Sequence, residues 1–224
     1  MDVIFAVSNI SDGNMAINND QANKSEVLNN RKLFLAKFGI TPENSTRVII
    51  TYDGNNYRRY REVGRNNLSE GMFNGNAQPA DALVTKVPGQ ALFLPLADCV
   101  GVAIFDPTNH ILMLSHIGRH SLEQFGSKAS VEFLVNKYDS KPEELLIWLT
   151  PAPGQENYPV FAFDNRSFKD VVFEQLQSAG VLINNITDDP DDTTKDPRYY
   201  SHSEFLAGRR DDDGRYAVVV MMKN

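Results

Sequence analysis

Residues 80–118, ADALVTKVPGQALFLPLADCVGVAIFDPTNHILMLSHIG, confine most of what this chain can become. Runs so rich in Val, Ile, Leu and Phe, bounded by Gly, Pro and Asp, read as buried strands. Asp106-Pro107-Thr108-Asn109 reads as a turn, because proline donates nothing to a ladder and Asp and Asn favour turn geometry. The strand before it (101–105) and the strand after it (111–115) therefore form a hairpin. The same run holds the only cysteine of the chain, Cys99, at the end of one apolar segment, and His116 at the end of the next. Neighbouring strands bring such ends together, and a thiol beside an imidazole can hold a soft metal or activate the sulfur as a nucleophile. The pair equally suits a core, since free cysteine is among the most buried residue types.

Further strands are expected over 3–7, 47–52, 92–96, 144–149 and 216–222. Helical spacing marks 25–37, with Ser25 as N-cap and Gly39 as stop. It also marks 122–138, where Leu122, Phe125, Ala129, Phe133 and Leu134 form a stripe, and 168–178, ended by Gly180. A short fourth helix begins near Lys141-Pro142-Glu143. Helices interspersed with hairpin-like strands predict an α+β fold with sheets inside and helices outside. The length, 224 residues, suits one core and a single domain over 1–224. Asparagine-rich stretches at 18–30 and 66–76 read as loops, the second either a flap over a site or a plain surface insertion.

A net charge of −7 and a pI near 5.1 oppose duplex nucleic-acid binding, which needs a basic face to displace counterions. Arg58, Arg59, Arg61 and Arg65 form one basic cluster and Arg209, Arg210 and Arg215 another. The second is interleaved with Asp211, Asp212 and Asp213, and both read as solvated faces. One cysteine cannot close an intramolecular disulfide, the first residues lack a basic segment followed by a long apolar one, and no apolar run is long enough to cross a bilayer. A cytoplasmic protein without membrane or nucleic-acid partners is the expectation.

Three short motifs lead further. Ala80-Asp81-Ala82-Leu83-Val84-Thr85, Ala97-Asp98-Cys99 and His116-Ile117-Gly118 stand in the order found in the laccase-domain family, also called the polyphenol oxidase or multifunctional purine nucleoside phosphorylase family. Asp12-Gly13-Asn14 with Val27-Leu28-Asn29-Asn30-Arg31 resembles that family's N-terminal loop and Val-x-x-Asn-Arg helix. Thr150-Pro151-Ala152-Pro153-Gly154, Tyr199-Tyr200-Ser201-His202, Arg209-Arg210-Asp211 and Gly214-Arg215 resemble its later motifs. The resemblance spans nearly the whole chain and implies a layered α/β/β/α arrangement with mixed sheets.

It also implies a metal site of two histidines and a cysteine. Cys99 and His116 match two of these ligands; Thr51-Tyr52-Asp53-Gly54 stands where the family has Gln-x-His-Gly, so Asp53 takes the place of the other histidine. Asp53, Cys99 and His116 would suit zinc better than copper, since a hard carboxylate oxygen serves Cu(I) poorly. Asp53 could instead merely cap the turn before Gly54. Four histidines and one cysteine are too few for a several-copper oxidase array. Arg119-His120 replaces the family's Trp-Arg. His120 follows His116 by four residues, but Gly118 between them argues against one helix face; it reads first as a residue at a helix start. By the resemblance Arg31 is the expected phosphate ligand, Arg119 and His120 are further substrate or phosphate contacts, and Asp98 orients the site.

The activity implied is zinc-dependent phosphorolysis of purine nucleosides, with phosphate as co-substrate and adenosine deamination beside it, weakened or shifted by the substitutions. The alternatives are a Cys99–His116 hydrolase or deamidase and a nucleoside-binding paralogue without turnover.

Overall fold

The computed structural model describes residues 2–17, 23–74 and 77–223. It is an α+β fold of two mixed sheets between helices. The four-stranded sheet has the order β1 (Val3–Val7), β10 (Tyr216–Met222), β5 (Ala91–Leu96), β2 (Ser45–Arg47). The six-stranded sheet runs β3 (Tyr60–Glu62), β4 (Ala82–Thr85), β7 (Ile111–Ile117), β6 (Val100–Asp106), β8 (Leu146–Leu149), β9 (Ile186–Asp188).

Three apolar layers hold this sandwich. Leu92, Leu94, Val218 and Val220 from the first sheet meet Leu83, Ala103, Leu112 and Leu114 from the second. Outside the first sheet, Phe93 and Val219 pack against Phe34 and Leu35 of α1 (Lys24–Ala36). Outside the second, Val102, Ile104 and Met113 pack against α3 (Gly126–Tyr138) and α4 (Phe168–Ser178) through Val131, Leu134, Val172 and Leu176. Strands buried on both faces need no polar alternation, which is why these read as unbroken apolar runs. Among the described residues, no helix is long and apolar enough to cross a membrane.

The hairpin of β6 and β7 forms as expected, with Asp106 opposite Ile111, and Asp106 Oδ1 accepts from the Thr108 and Asn109 amides to close the turn. Several other expectations are corrected. The strand expected over 47–52 pairs only at Ser45–Arg47; beyond the Val48 amide, which still reaches Phe93 O, the chain leaves the sheet. The helix expected over 122–138 is two, α2 (Arg119–Glu123) and α3, because the chain folds back at Phe125 (φ 59°). Gly126 permits that bend: a Cβ there would lie 2.1 Å from Ser121 Oγ. The N-cap of α1 is Asn23, whose side chain accepts from the Ser25 and Glu26 amides, and not Ser25. The helix expected near 141–143 is a single 3-10 turn, Pro142–Glu144. β3, β4, β9 and the short α5 (His202–Leu206) had not been expected.

The stretch at 66–76 is anchored where it is described, not poised as a flap. Met72 is fully buried, Glu70 is gripped by Arg61 at 2.6 and 2.7 Å, and the Ser69 amide donates to Ser45 O. Residues 75–76 of this stretch, and 18–22 of the other asparagine-rich stretch, lie outside the described residues.

Candidate functional site

The hairpin register builds the site. Val100 faces Ile117 and Gly101 faces His116, so Cys99, one residue before β6, comes level with Gly118, one residue after β7. A Cβ on Gly118 would sit 2.9 Å from His116 Cε1, 3.2 Å from Cys99 Sγ and 3.4 Å from His116 Nε2. Sulfur and imidazole thus meet in one small cradle beside Gly118, so closely that only glycine can stand there. The cradle lies in the wall of a cavity of about 1040 Å³, which also reaches Asp98, Arg119, His120 and Tyr158.

Burial decides the protonation of the pair. His116 is buried, and desolvation lowers its pKa to about 4 against the opposing pull of Asp81, so the imidazole is neutral and keeps a lone pair. Cys99 is half-buried and faces the cavity; desolvation, then the charge of Asp98, pushes its thiol up to about 12. An isolated cysteine–histidine nucleophile needs a lowered thiol pKa, and this environment raises it. Neutral imidazole and a polarisable sulfur on one cradle instead suit a soft or borderline cation, which would take the place of the thiol proton. Among the described residues no three His, Cys, Asp or Glu side chains gather around an ion. Of the three ligands expected, Cys99 and His116 come together here.

The expected site residues separate into groups. Cys99, His116, Asp98, Arg119 and His120 all reach the cavity. Asp98 is buried in a left-handed conformation (φ 73°), and its carboxylate accepts from Thr193 Oγ1 at 2.9 Å and the Ser203 amide at 2.8 Å. It ties the cysteine loop to the start of α5. Arg119 spreads over the Tyr158 ring, 4.5 Å from its centroid, with a buried Nε that has no partner. His120 stands within α2 and stacks on Tyr57, with centroids 4.8 Å apart.

Asp53 and Arg31 do not join them. Asp53 is exposed and does not line the cavity; its neighbour Tyr52 does. With the strand ending at Arg47, register no longer dictates where the following side chains point. Arg31 is fully buried under the first sheet, where Nε donates to Met15 O at 2.8 Å and a second nitrogen to Met72 O. It clamps the loop after β1 to α1, and Asn30 of the same motif donates to Asn14 O at 3.1 Å.

Sequence reasoning missed Asp81, Tyr57 and Arg47. Asp81 lies beside the cradle, takes Arg59 in a two-pronged ion pair of 2.8 and 2.9 Å, and its carbonyl accepts from the His116 amide. Its place in the Ala-Asp-Ala motif was the available signal. Gln124 fixes Tyr57 by accepting from its amide at 3.1 Å while donating to Asn55 O at 2.7 Å. His202 Nδ1 lies 2.8 Å from Asp213 Oδ1.

Comparison with known proteins adds to this geometry. The family model described as multi-copper polyphenol oxidoreductase laccase matches residues 6–172. A purine nucleoside phosphorylase of Haemophilus influenzae is 30% identical over 146 residues, 62% of this chain; the chain spans about half (50%) of that relative's length. The crystal structure of the hypothetical protein YfiH of Bacillus licheniformis superposes with a TM-score of 0.86 at 19% identity, covering 99% of this chain and 93% of that one. YlmD of Geobacillus stearothermophilus gives a TM-score of 0.82 at 20% identity, covering 94% and 85%. At these identities the two structures establish the fold.

Proposed function

Since the chain belongs to the multi-copper polyphenol oxidoreductase laccase family, we propose that it is a purine nucleoside phosphorylase acting in the cavity beside Cys99 and His116. The observation that carries the proposal is the Gly118 cradle, where a thiol and a neutral imidazole meet at the wall of a cavity with aromatic faces. The relative named purine nucleoside phosphorylase supports the reaction class. A polyphenol oxidase would need several coppers, whereas His110 sits at the hairpin turn and His202 is engaged by Asp213.

The cavity's side chains divide the work. Tyr57, stacked on His120, offers a flat face for a purine, and Tyr52 approaches the same imidazole edge-on at 6.4 Å. Arg119, held over Tyr158, places a cation at the wall for an anionic co-substrate. In the reaction a phosphate oxygen bonds to the ribose anomeric carbon as the glycosidic bond breaks. The base leaves with its bonding electrons and takes up the proton of hydrogenphosphate. Zinc held by Cys99 and His116 would supply a Lewis acid. Asp98 and Asp81 act through position: one fixes the cysteine loop, the other the chain around His116.

The test is release of adenine, hypoxanthine or guanine from their nucleosides, with and without phosphate. Release with matching ribose 1-phosphate, only when phosphate is present, supports phosphorolysis. Release without phosphate would replace it with hydrolysis, and conversion of adenosine to inosine alone with deamination. No turnover together with nucleoside binding would support a binding paralogue.

The placement of Asp53 yields a second expectation. Asp53→Ala leaves zinc affinity unchanged in calorimetric titration of apo-protein, because the carboxylate is exposed and outside the cavity. Cys99→Ala or His116→Ala should cost more than the ~10–100-fold typical of an outer-layer partner. A marked loss with Asp53→Ala would restore the three-ligand site.

A further inference from the structure

The segment between β2 and β3 supplies two aromatic side chains to the cavity wall, Tyr52 and Tyr57, yet no ladder holds it. Among the described residues, positions 51–58 make no hydrogen bond from backbone to backbone, and positions 52–56 are exposed. Ordering such a loop costs conformational entropy that side-chain contacts must offset. Arg59 makes one set of these contacts. Its fork donates to Thr51 Oγ1 and Thr51 O at 2.8 and 2.9 Å, while Nε and a terminal nitrogen hold the two Asp81 carboxylate oxygens at 2.8 and 2.9 Å. The Arg59 amide donates to the same carboxylate at 2.8 Å. Both ends of the loop are therefore pinned to one buried acid just before β4.

Gln124 grips the middle of the loop with both halves of its amide, accepting from the Tyr57 amide at 3.1 Å and donating to Asn55 O at 2.7 Å. It directly follows α2, the short helix that carries His120, and Tyr57 stacks on His120 with centroids 4.8 Å apart and planes 23° from parallel. One element thus fixes Tyr57 twice, through its backbone and through its ring. Because α2 begins directly after Gly118, the same grip ties the aromatic wall to the end of the hairpin that holds His116. Neither Arg59 nor Gln124 lines the cavity, so each acts on a molecule bound there through the tyrosines.

We propose that Gln124 and Arg59 are positioning residues, which hold the Tyr57 ring ready to stack on a purine and so set the affinity of the cavity for its nucleoside. That the stacked ring is a purine rests on the phosphorylase reading; the clasp on the loop does not. A loop ordered before the ligand arrives removes its ordering cost from binding, which strengthens affinity without a contact to the ligand. A gain of this kind is shared by bound substrate and transition state, so its loss raises KM and leaves kcat in place.

The experiment measures calorimetric binding of adenosine to the full chain in phosphate-free buffer, and base release from adenosine at saturating phosphate. Gln124→Met keeps the length of the side chain and removes both bonds. It should weaken adenosine binding and raise KM by about tenfold, the scale of two net hydrogen bonds. Its kcat at saturating adenosine should stay within about twofold of wild type. Gln124→Glu, which keeps the acceptor for the Tyr57 amide and loses the donor to Asn55, should fall between them; it also serves if the methionine variant does not fold. Arg59→Lys keeps the charge beside Asp81 without the fork that reaches Thr51, and should raise KM in the same way. Tyr57→Leu separates positioning from mere structural support: once the ring is gone, adding Gln124→Met should change adenosine binding little. Unchanged adenosine binding in Gln124→Met, or an equal loss from it with and without the Tyr57 ring, would overturn the assignment. Adenosine bound through Gln124 and Tyr57 with no base release defeats the phosphorylase but leaves the positioning role. Base release with an unchanged KM for adenosine in Gln124→Met does the reverse, and a wild-type chain that binds no nucleoside overturns both.

Discussion

Cys99→Ala and His116→Ala are each expected to lower phosphate-dependent base release by about 100-fold or more, the scale on which single reacting groups contribute. The double variant should fall little further. Both side chains border one cradle, within 3.4 Å of the point a Gly118 Cβ would occupy. Groups that serve one ion or one reacting atom fail together, so the second removal costs little once the first is made. The measurement is kcat/KM for inosine or adenosine at saturating phosphate for the two single variants and the double. Multiplying losses would mean that the two side chains act independently. Wild-type rates in both single variants would place the chemistry elsewhere in the cavity.

A second large effect concerns stability and acidity. His116 is buried and neutral, with desolvation lowering its pKa from 6.5 to about 4 in the folded chain. The unfolded chain binds a proton at this residue in the window between those values and the folded chain does not. Stability is therefore fully present above pH 6.5 and is lost as pH falls towards 4. The loss is about 1.4 kcal/mol per pH unit, or roughly 3 kcal/mol over the window. Urea unfolding of chelator-treated protein at pH 7.5 and 4.5 tests this, with His116→Gln as the comparison. Carboxylates that titrate in both proteins cancel, so wild type should lose about 2–3 kcal/mol more than the variant between the two pH values. Parallel losses would show that the imidazole is as free to protonate when folded as when unfolded.

The two expectations share a cause. A histidine held neutral by burial keeps a lone pair at neutral pH, and the same burial keeps Cys99 as a thiol until something replaces its proton. Two ligand-type side chains withdrawn from water give a site that is quiet alone and receptive to a cation. Close packing at Gly118 brings both side chains to the cavity wall, where such a cation would reach them.

Much of this arrangement was legible in the chain itself. Proline and aspartate at 106–109 dictated a turn, and the apolar runs beside it had nowhere to lie but in a buried hairpin. That hairpin alone brings Cys99 level with Gly118 and next to His116. The helix over Phe168–Ser178 and the strands Val3–Val7 and Tyr216–Met222 stand at the expected bounds. These features depend on neighbours a few residues apart, where φ restrictions, capping and periodicity act. The motifs shared with the family carried the layered architecture, which periodicity does not encode.

What only the tertiary structure decided are facts about side chains meeting across long separations. Asp53 was placed by extending a strand beyond Arg47; because that strand stops pairing there, Tyr52 and not Asp53 reaches the cavity. The break at Phe125 follows from Gly126 closing against Ser121, a contact that the continuous apolar stripe conceals. The family motif makes Arg31 an expected phosphate ligand, yet its bonds run to residues 16 and 41 positions away, Met15 and Met72. Arg47 carries no local signal at all; a parallel strand pairing sets it opposite Phe93, at the edge of the cavity. Local sequence determines which residues enter strands and helices. The packing of those elements determines which of their side chains lose water, and with it which residues are left seeking a ligand.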